Sequence, residues 1–298
     1  MRRLVIIKPG CKELANELLN YLSVYACGLA TGATVSNPSF FERHPFFTLL
    51  KEETRATRLL SVLSKWTGSF LNRLWGRVYS LYASYMIRSH AACSLLALSE
   101  YHYLPPTRPP TEKTETCTTT YFFGWFFRNP VGLTRYRNEL ITAFAPVQKI
   151  QKTIEHIVSP LQKKHTLIGV HIKQKPYPWC DNGEFLVSPE RTQHIVEEYI
   201  REKKLRRTDV ALLVVSDNAL SPSVFGDLKT HFSKEHEATN LFLLSKCSVV
   251  IGTNSTFSNL AAWFGNIPHI VVSNEPLDWE YYQDTATYFE NKYATFAF

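Results

Sequence analysis

The residues best equipped for chemistry sit directly behind a short apolar run in the last sixty or so positions of the chain. Ser248–Ile251 carries two β-branched valines and suits a parallel strand covered on both faces. Gly252 follows as an expected tight turn. Thr253, Asn254, Ser255, Thr256 and Ser258, good helix caps, then lead into an apolar helix over Leu260–Phe264 that Gly265 would stop. Free N–H groups at a helix start, joined by hydroxyls, bind anions such as phosphate. A plain structural cap by Asn254 or Ser255 accounts for the same pattern equally well. A second cluster, His171-Ile172-Lys173-Gln174-Lys175, follows the apolar run Leu167–Val170. Strand alternation there would put His171, Lys173 and Lys175 on one face, two cations and a histidine fit to grip a diphosphate. Solvated lysines at an exposed strand end are the competing reading.

Both clusters depend on a framework of strands and helices. In the second half the pattern predicts a strand over Thr166–Ile172, a helix over Pro189–Lys203, a strand over Ala211–Val215 and a short helix near Val224–Phe232. A helix over Leu241–Leu244, a strand over Val249–Ile251, the helix Leu260–Phe264 and a strand over His269–Val272 complete it. Strands alternating with helices imply a parallel sheet, whose ligands sit at the carboxyl ends of the strands. Those ends are His171–Lys175, Ser216–Asn218, Gly252–Ser258 and Ser273–Glu275. The first half opens as strand Arg3–Ile7, turn Pro9-Gly10, helix to Leu29 and strand Thr34–Asn37, the start of another α/β unit. A proline-rich loop over Tyr103–Thr120, an aromatic strand over Tyr121–Phe127, a helix over Tyr136–Lys152 and a helical continuation over Ile154–Leu161 follow.

At 298 residues and 45% hydrophobic content the chain is long enough for two globular domains, taken here as 1–160 and 161–298. The formal charge of +7, with an isoelectric point near 9.0, points to an acidic partner: a nucleotide phosphate, a nucleic acid or an anionic membrane. Thr54–Ser99 contains no acidic residue and interleaves Arg55, Arg58, Lys65, Arg73, Arg77 and Arg88 with Trp66, Trp75, Tyr79, Tyr82 and Tyr85. Helices with a solvated basic side, a membrane-facing amphipathic surface and a single-strand nucleic-acid surface all fit it. No nucleic-acid motif accompanies it, so no nucleic-acid partner is expected. The six cysteines form no C-x-x-C pair and no secretory segment follows Arg2-Arg3, so reduced thiols and a cytoplasmic location are expected. No apolar run reaches the roughly 18 residues of a membrane span. Membrane contact, if any, would be peripheral and through 54–99.

His171–Ser188 (HIKQKPYPWCDNGEFLVS) and the opening segment together resemble the α-1,2-fucosyltransferase superfamily, which also holds nodulation α-1,6-fucosyltransferases and protein O-fucosyltransferases. There an H-x-R-R-x-D motif ends the first strand of the donor domain, and a later S-T-F-S-type segment, here Ser255-Thr256-Phe257-Ser258, lines the donor pocket. Pro9–Asn20 resembles the family's opening loop and first helix, Asn37-Pro38-Ser39-Phe40 its next strand end, and Phe123-Gly124-Trp125-Phe126-Phe127-Arg128 its G-W-x-F-R strand. The resemblance spans nearly the whole chain except roughly Thr54–Thr120. Lys173, Gln174 and Pro176 replace the motif's two arginines and aspartate. Lysine keeps the charge but not the bidentate fork that matches phosphate geometry.

What the resemblance implies is a GT-B arrangement of two Rossmann-like domains with parallel sheets, transferring L-fucose from GDP-fucose to a glycan hydroxyl with inversion and without metal or other cofactor. No D-x-D motif or dense cluster of metal-ligand residues opposes it. Lys173, beside Ser255 and Thr256, would stabilise the departing diphosphate. Asp181 or Glu184 would take the acceptor's proton, although Asp181 lies in an Asp-Asn-Gly turn sequence. Gly10, Asn16, His171, Lys175, Ser216, Asp217, Asn254, Phe257 and Ser258 would complete the donor site. Asp217 would read base or ribose, or else cap a helix. Trp125 and Arg128 would line the acceptor side, with a core place for Trp125 and a loop cap for Arg128 as their alternatives. A catalytically inactive homologue that binds a glycan or another partner is the alternative function, because the arginine pair is gone.

Overall fold

The computed structural model describes residues 2–7, 13–40, 42–48, 69–88, 92–97, 102–104, 117–175, 186–272 and 275–280. The chain divides into two compact units between Val147 and Gln148. In the first, strands β1 (Arg3–Ile7), β2 (Thr34–Ser36), β3 (Cys93–Ala97) and β5 (Thr119–Gly124) form a parallel sheet in the order β2-β1-β5-β3. Helix α1 (Leu14–Thr31) buries most of its residues from Leu14 to Gly28 and ends at Gly32, whose φ of 65° is the left-handed turn that glycine adopts freely. Helix α2 (Ser69–Arg88) sets Ala83, Met86 and Ile87 against Val5, Ile7 and Tyr121 of the sheet. A short parallel pair joins β4 (His102–Tyr103) to β6 (Phe127–Arg128).

Three expectations for this half are corrected. The aromatic strand is not continuous over Tyr121–Phe127, because Gly124 takes a φ of 107° and turns the chain at Trp125-Phe126. The helix expected over Tyr136–Lys152 is divided between two elements, α4 (Arg137–Ala143) and α5 (Gln148–Gln162), the second belonging to the second unit, and a further short helix α3 (Pro130–Arg135) precedes them. Pro146 lacks an N–H and disfavours helical backbone at Ala145, and its own backbone bridges Phe47. The cysteines are not all reduced either. Cys93, the first residue of β3, and Cys117, two residues before β5, form a disulfide with Cα atoms 6.1 Å apart, whereas Cys27 and Cys247 are buried free thiols. Spacing along the chain gives no hint of this pair, since it is the pairing of β3 beside β5, with Cys93 opposite Thr120, that brings the segment of Cys117 alongside.

The second unit holds β7 (Thr166–Ile172), β8 (Val210–Ser216), β9 (Lys229–Phe232), β10 (Val249–Gly252) and β11 (His269–Val271) in the parallel order β11-β10-β7-β8-β9. Helices α6 (Pro189–Glu202), α7 (Glu237–Leu244) and α8 (Thr256–Gly265) alternate with the strands. One face of the sheet packs Ile168, Val170, Leu212, Val214, Val249 and Ile251 against Ile195 and Val196 of α6. The nearly unbroken apolar runs in β7, β8 and β10 reflect burial on both faces. The short helix expected near Val224–Phe232 is a 3-10 turn over Pro222–Phe225 followed by strand β9, because Gly226 at φ 59° ends the turn and the edge of β8 is open to pairing. Helix α8 starts earlier than expected, and Asn266 at φ 52°, not Gly265, provides its left-handed cap. Gly265 serves close approach: a Cβ there would lie 2.3 Å from the Ser245 carbonyl oxygen.

Candidate functional site

The register of the second sheet sets out the site. His171 pairs with Gly252 on one side and Val215 on the other, so the segments leaving β7, β8 and β10 begin side by side at one sheet edge. Gly252 is the last residue of β10, not a turn of unusual backbone. A Cβ there would lie 2.8 Å from the His171 carbonyl oxygen and 3.0 Å from Ser258 Oγ, so glycine is what lets α8 begin against β7.

Ser255 is the helix cap, its Oγ accepting from the Ser258 N–H at 3.2 Å. That leaves the N–H groups of Thr256 and Phe257, which have no hydrogen-bond partner among the described residues. Thr253 Oγ1 is buried and has no hydrogen-bond partner among the described residues. The two N–H groups lie at the positive end of the helix dipole, and the orphan hydroxyl belongs to the segment that leads into it. The helix is anchored from behind by Asn259, which donates to the Ser255 carbonyl at 2.9 Å and lies 2.9 Å from His269 Nδ1 on β11. Asn254 is exposed and meets Asn259 at 3.4 Å.

His171 is buried, with Nδ1 2.7 Å from Ser258 Oγ and 3.4 Å from Ser255 Oγ, and its ring lies 4.9 Å from that of Phe257. Burial pushes its imidazole down to about 4; Asp217 opposes the shift and Lys173 adds to it. The ring is therefore neutral at physiological pH and contributes hydrogen bonding and shape rather than charge. The alternation expected to line up Lys173 and Lys175 stops because β7 ends at Ile172. Asp217 draws the chain away: its carboxylate accepts from the N–H groups of Gln174 at 2.8 Å and Lys175 at 3.1 Å and faces Lys173 Nζ at 3.9 Å. Lys173 is largely sheltered while Lys175 is exposed. Ser216 Oγ donates to Gln174 Oε1 at 3.2 Å, which ties the same loop to the end of β8.

His171, Lys173, Ser216, Asp217, Ser255, Thr256, Phe257 and Ser258 are thus brought to one edge. Chains with this architecture are found among solved structures. An Arabidopsis thaliana FUT1 mutant in complex with GDP matches over 90% of this chain and 70% of its own, at 16% identity and a TM-score of 0.51. POFUT1 in complex with GDP-fucose matches over 91% and 98%, at 11% identity and a TM-score of 0.53. The fold is GT-B-like. No protein-family model and no curated protein sequence matches the chain. At these identities the likeness concerns the fold alone.

The remaining expected site residues of the GT-B-like chain belong to the first unit or fall outside the described residues. Gly10, Asp181 and Glu184 fall outside the described residues. Asn16 is buried in the first turn of α1, 3.4 Å from Glu13. Trp125 stacks on Phe126 with ring centroids 3.9 Å apart, and Arg128 is buried, donating to the Trp125 and Phe127 carbonyls at 2.9 and 3.0 Å. Both belong to the first unit, bracketed by Asn20, which donates to the Gly124 carbonyl and accepts from the Phe127 N–H. No group of three or more residues able to hold a metal occurs among the described residues.

Sequence reasoning named Thr253 and Gln174 only as members of their segments and did not foresee that the Thr253 hydroxyl lacks a partner among the described residues or that the Gln174 side chain braces the loop; in the first unit it did not foresee the shifted carboxyl of Glu17. Burial raises the Glu17 carboxyl to about 7 against the opposing effect of Arg43, whose guanidinium lies 3.6 Å away. The available signal was a lone acid within Leu14-Ala15-Asn16-Glu17-Leu18-Leu19, an otherwise apolar helix start beside the loop of Gly10.

Proposed function

We propose that the protein is a glycosyltransferase that transfers a sugar from a nucleoside diphosphate to a glycan hydroxyl, with GDP-fucose as the first donor to test. The start of α8 carries this reading: the N–H groups of Thr256 and Phe257, the Thr253 hydroxyl and the Lys173 ammonium occupy the sheet edge where α/β folds hold phosphates. In this reading the diphosphate leaves with its growing charge stabilised by Lys173 and by the helix N–H groups. Phe257 and His171 shape the wall of the pocket. The acceptor oxygen attacks the anomeric carbon from the face opposite the diphosphate, giving inversion, and a carboxylate takes its proton. Asp181 and Glu184 are the carboxylates to be tested for that role.

A thermal-shift screen of GDP, GDP-fucose, UDP and their sugars tests the donor. A rise in Tm with GDP and GDP-fucose is expected, and no response to any nucleotide would remove the reading. Lys173→Ala should weaken GDP binding by about tenfold or more, whereas Lys175→Ala should change it little. Equal losses would reduce both lysines to general positive charge. Transfer activity should survive EDTA, and its loss on chelation with recovery on Mg²⁺ would sink the metal-independent part of the proposal. The inactive-homologue reading is favoured by Asp217 holding Lys173 in an ion pair. It predicts GDP binding without fucose transfer or donor hydrolysis.

A further inference from the structure

Helix α2 has two apolar faces, and the sheet uses one. Ala83, Met86 and Ile87 face β1 and β5, with Ala83 fully buried. On the opposite side Leu74, Val78, Leu81, Tyr82 and Tyr85 are 47%, 50%, 71%, 52% and 68% exposed. At roughly 100° per residue these five positions fall within about a quarter to a third of the helix circumference, directly across from Ala83. Arg77 and Arg88, both exposed, border the same stripe on one side. No acidic residue occurs in the helix, or anywhere from Thr54 to Ser99. Single exposed apolar side chains are ordinary, but five on one face of one helix form a docking surface.

We propose that this face of α2 is a peripheral membrane-binding surface that rests on an anionic bilayer, with Leu74, Val78, Leu81 and Tyr85 entering the headgroup boundary and Arg77 and Arg88 meeting lipid phosphates. Charge complementarity selects this occupant. An apolar strip bordered by arginines and carrying tyrosines is the pattern of helices that lie in a lipid interface, where the tyrosine ring is buried and its hydroxyl stays wet. A second copy seated on the same face about a two-fold axis would bring Arg77 and Arg88 of both protomers into one interface with no acid on either helix to balance them. The helix lies on the surface and does not cross it, since no described helix is long and apolar enough to span a membrane. The surface belongs to the first unit and does not depend on the donor reading.

Flotation of the full chain with vesicles tests this directly. Binding is expected to vesicles of equal parts phosphatidylglycerol and phosphatidylcholine, little to phosphatidylcholine alone, and the bound fraction should fall at high salt. The pair Leu81→Ser with Tyr85→Ser, and separately the pair Arg77→Glu with Arg88→Glu, should each reduce the bound fraction about tenfold while melting temperature and GDP response stay those of the parent. Failure of the parent chain to float on anionic vesicles would overturn the proposal. So would variants that float as the parent does, or a dimer in sedimentation that dissociates with Leu81→Ser and Tyr85→Ser.

Discussion

His171 is neutral at physiological pH because the sheet and α8 strip its water away, and Glu17 holds a proton near neutrality for the same reason on α1. The two give opposite stability signatures. For His171 the folded value of about 4 lies below the ordinary 6.5, so as pH falls the unfolded chain takes the proton first. Stability is then lost between those limits, on the order of 3 kcal/mol in all, and His171→Gln should flatten the acid limb of a Tm-against-pH curve. For Glu17 the folded value of about 7 lies above the ordinary 4.5, so stability is lost as pH rises through that window. Glu17→Gln should therefore raise Tm relative to the parent at about pH 8 and leave it unchanged at about pH 4. A gain of the same size at both would show that charge is not the cause. The residue types at both places could be read from the sequence. Their charge states could not, because burial is a property of neighbours far away along the chain.

Two glycines mark how strands and helices are fitted together around the candidate site. At Gly252 a Cβ would meet the His171 carbonyl oxygen at 2.8 Å, a backbone atom of the adjacent strand that cannot move without opening the ladder. At Gly169 the nearest atoms, at 3.0 Å, are Cys247 Sγ and Leu244 Cδ2, which are ends of side chains. Gly252→Ala should thus cost about 1–3 kcal/mol in urea unfolding and weaken GDP binding, with Gly169→Ala costing less. The reverse order would contradict the close-approach account. Strands and helices of the second unit were legible wherever long apolar runs alternated with caps, as in β7, α6, β8 and β10. The misreadings at Tyr136–Lys152 and Val224–Phe232 arose where Pro146 and Gly226 override helical periodicity and where an open strand edge recruits Lys229–Phe232.

Across the whole molecule, the bridge between Cys93 and Cys117 closes a long excursion of the first unit and leaves the second untouched. Disulfides persist in oxidising surroundings, so protein purified without reductant should shift on a non-reducing gel only after reduction. Cys93→Ser with Cys117→Ser should cost the first unit about 3 kcal/mol, read by proteolysis or calorimetry, and spare the unfolding of the second. A parent chain that reacts as fully reduced under the same conditions would contradict the bridge. The sequence by itself determined the α/β class, the parallel sheets and the place of the Thr253–Ser258 hydroxyls behind a buried strand, because hydrophobic periodicity and capping chemistry are local. Only the tertiary structure decided that Asp217 braces the loop of Lys173, that Cys93 meets Cys117, and that the outer face of α2 is apolar and exposed. Each of these depends on strand register or on which helix face the sheet covers, and both are settled by packing between residues distant in the chain.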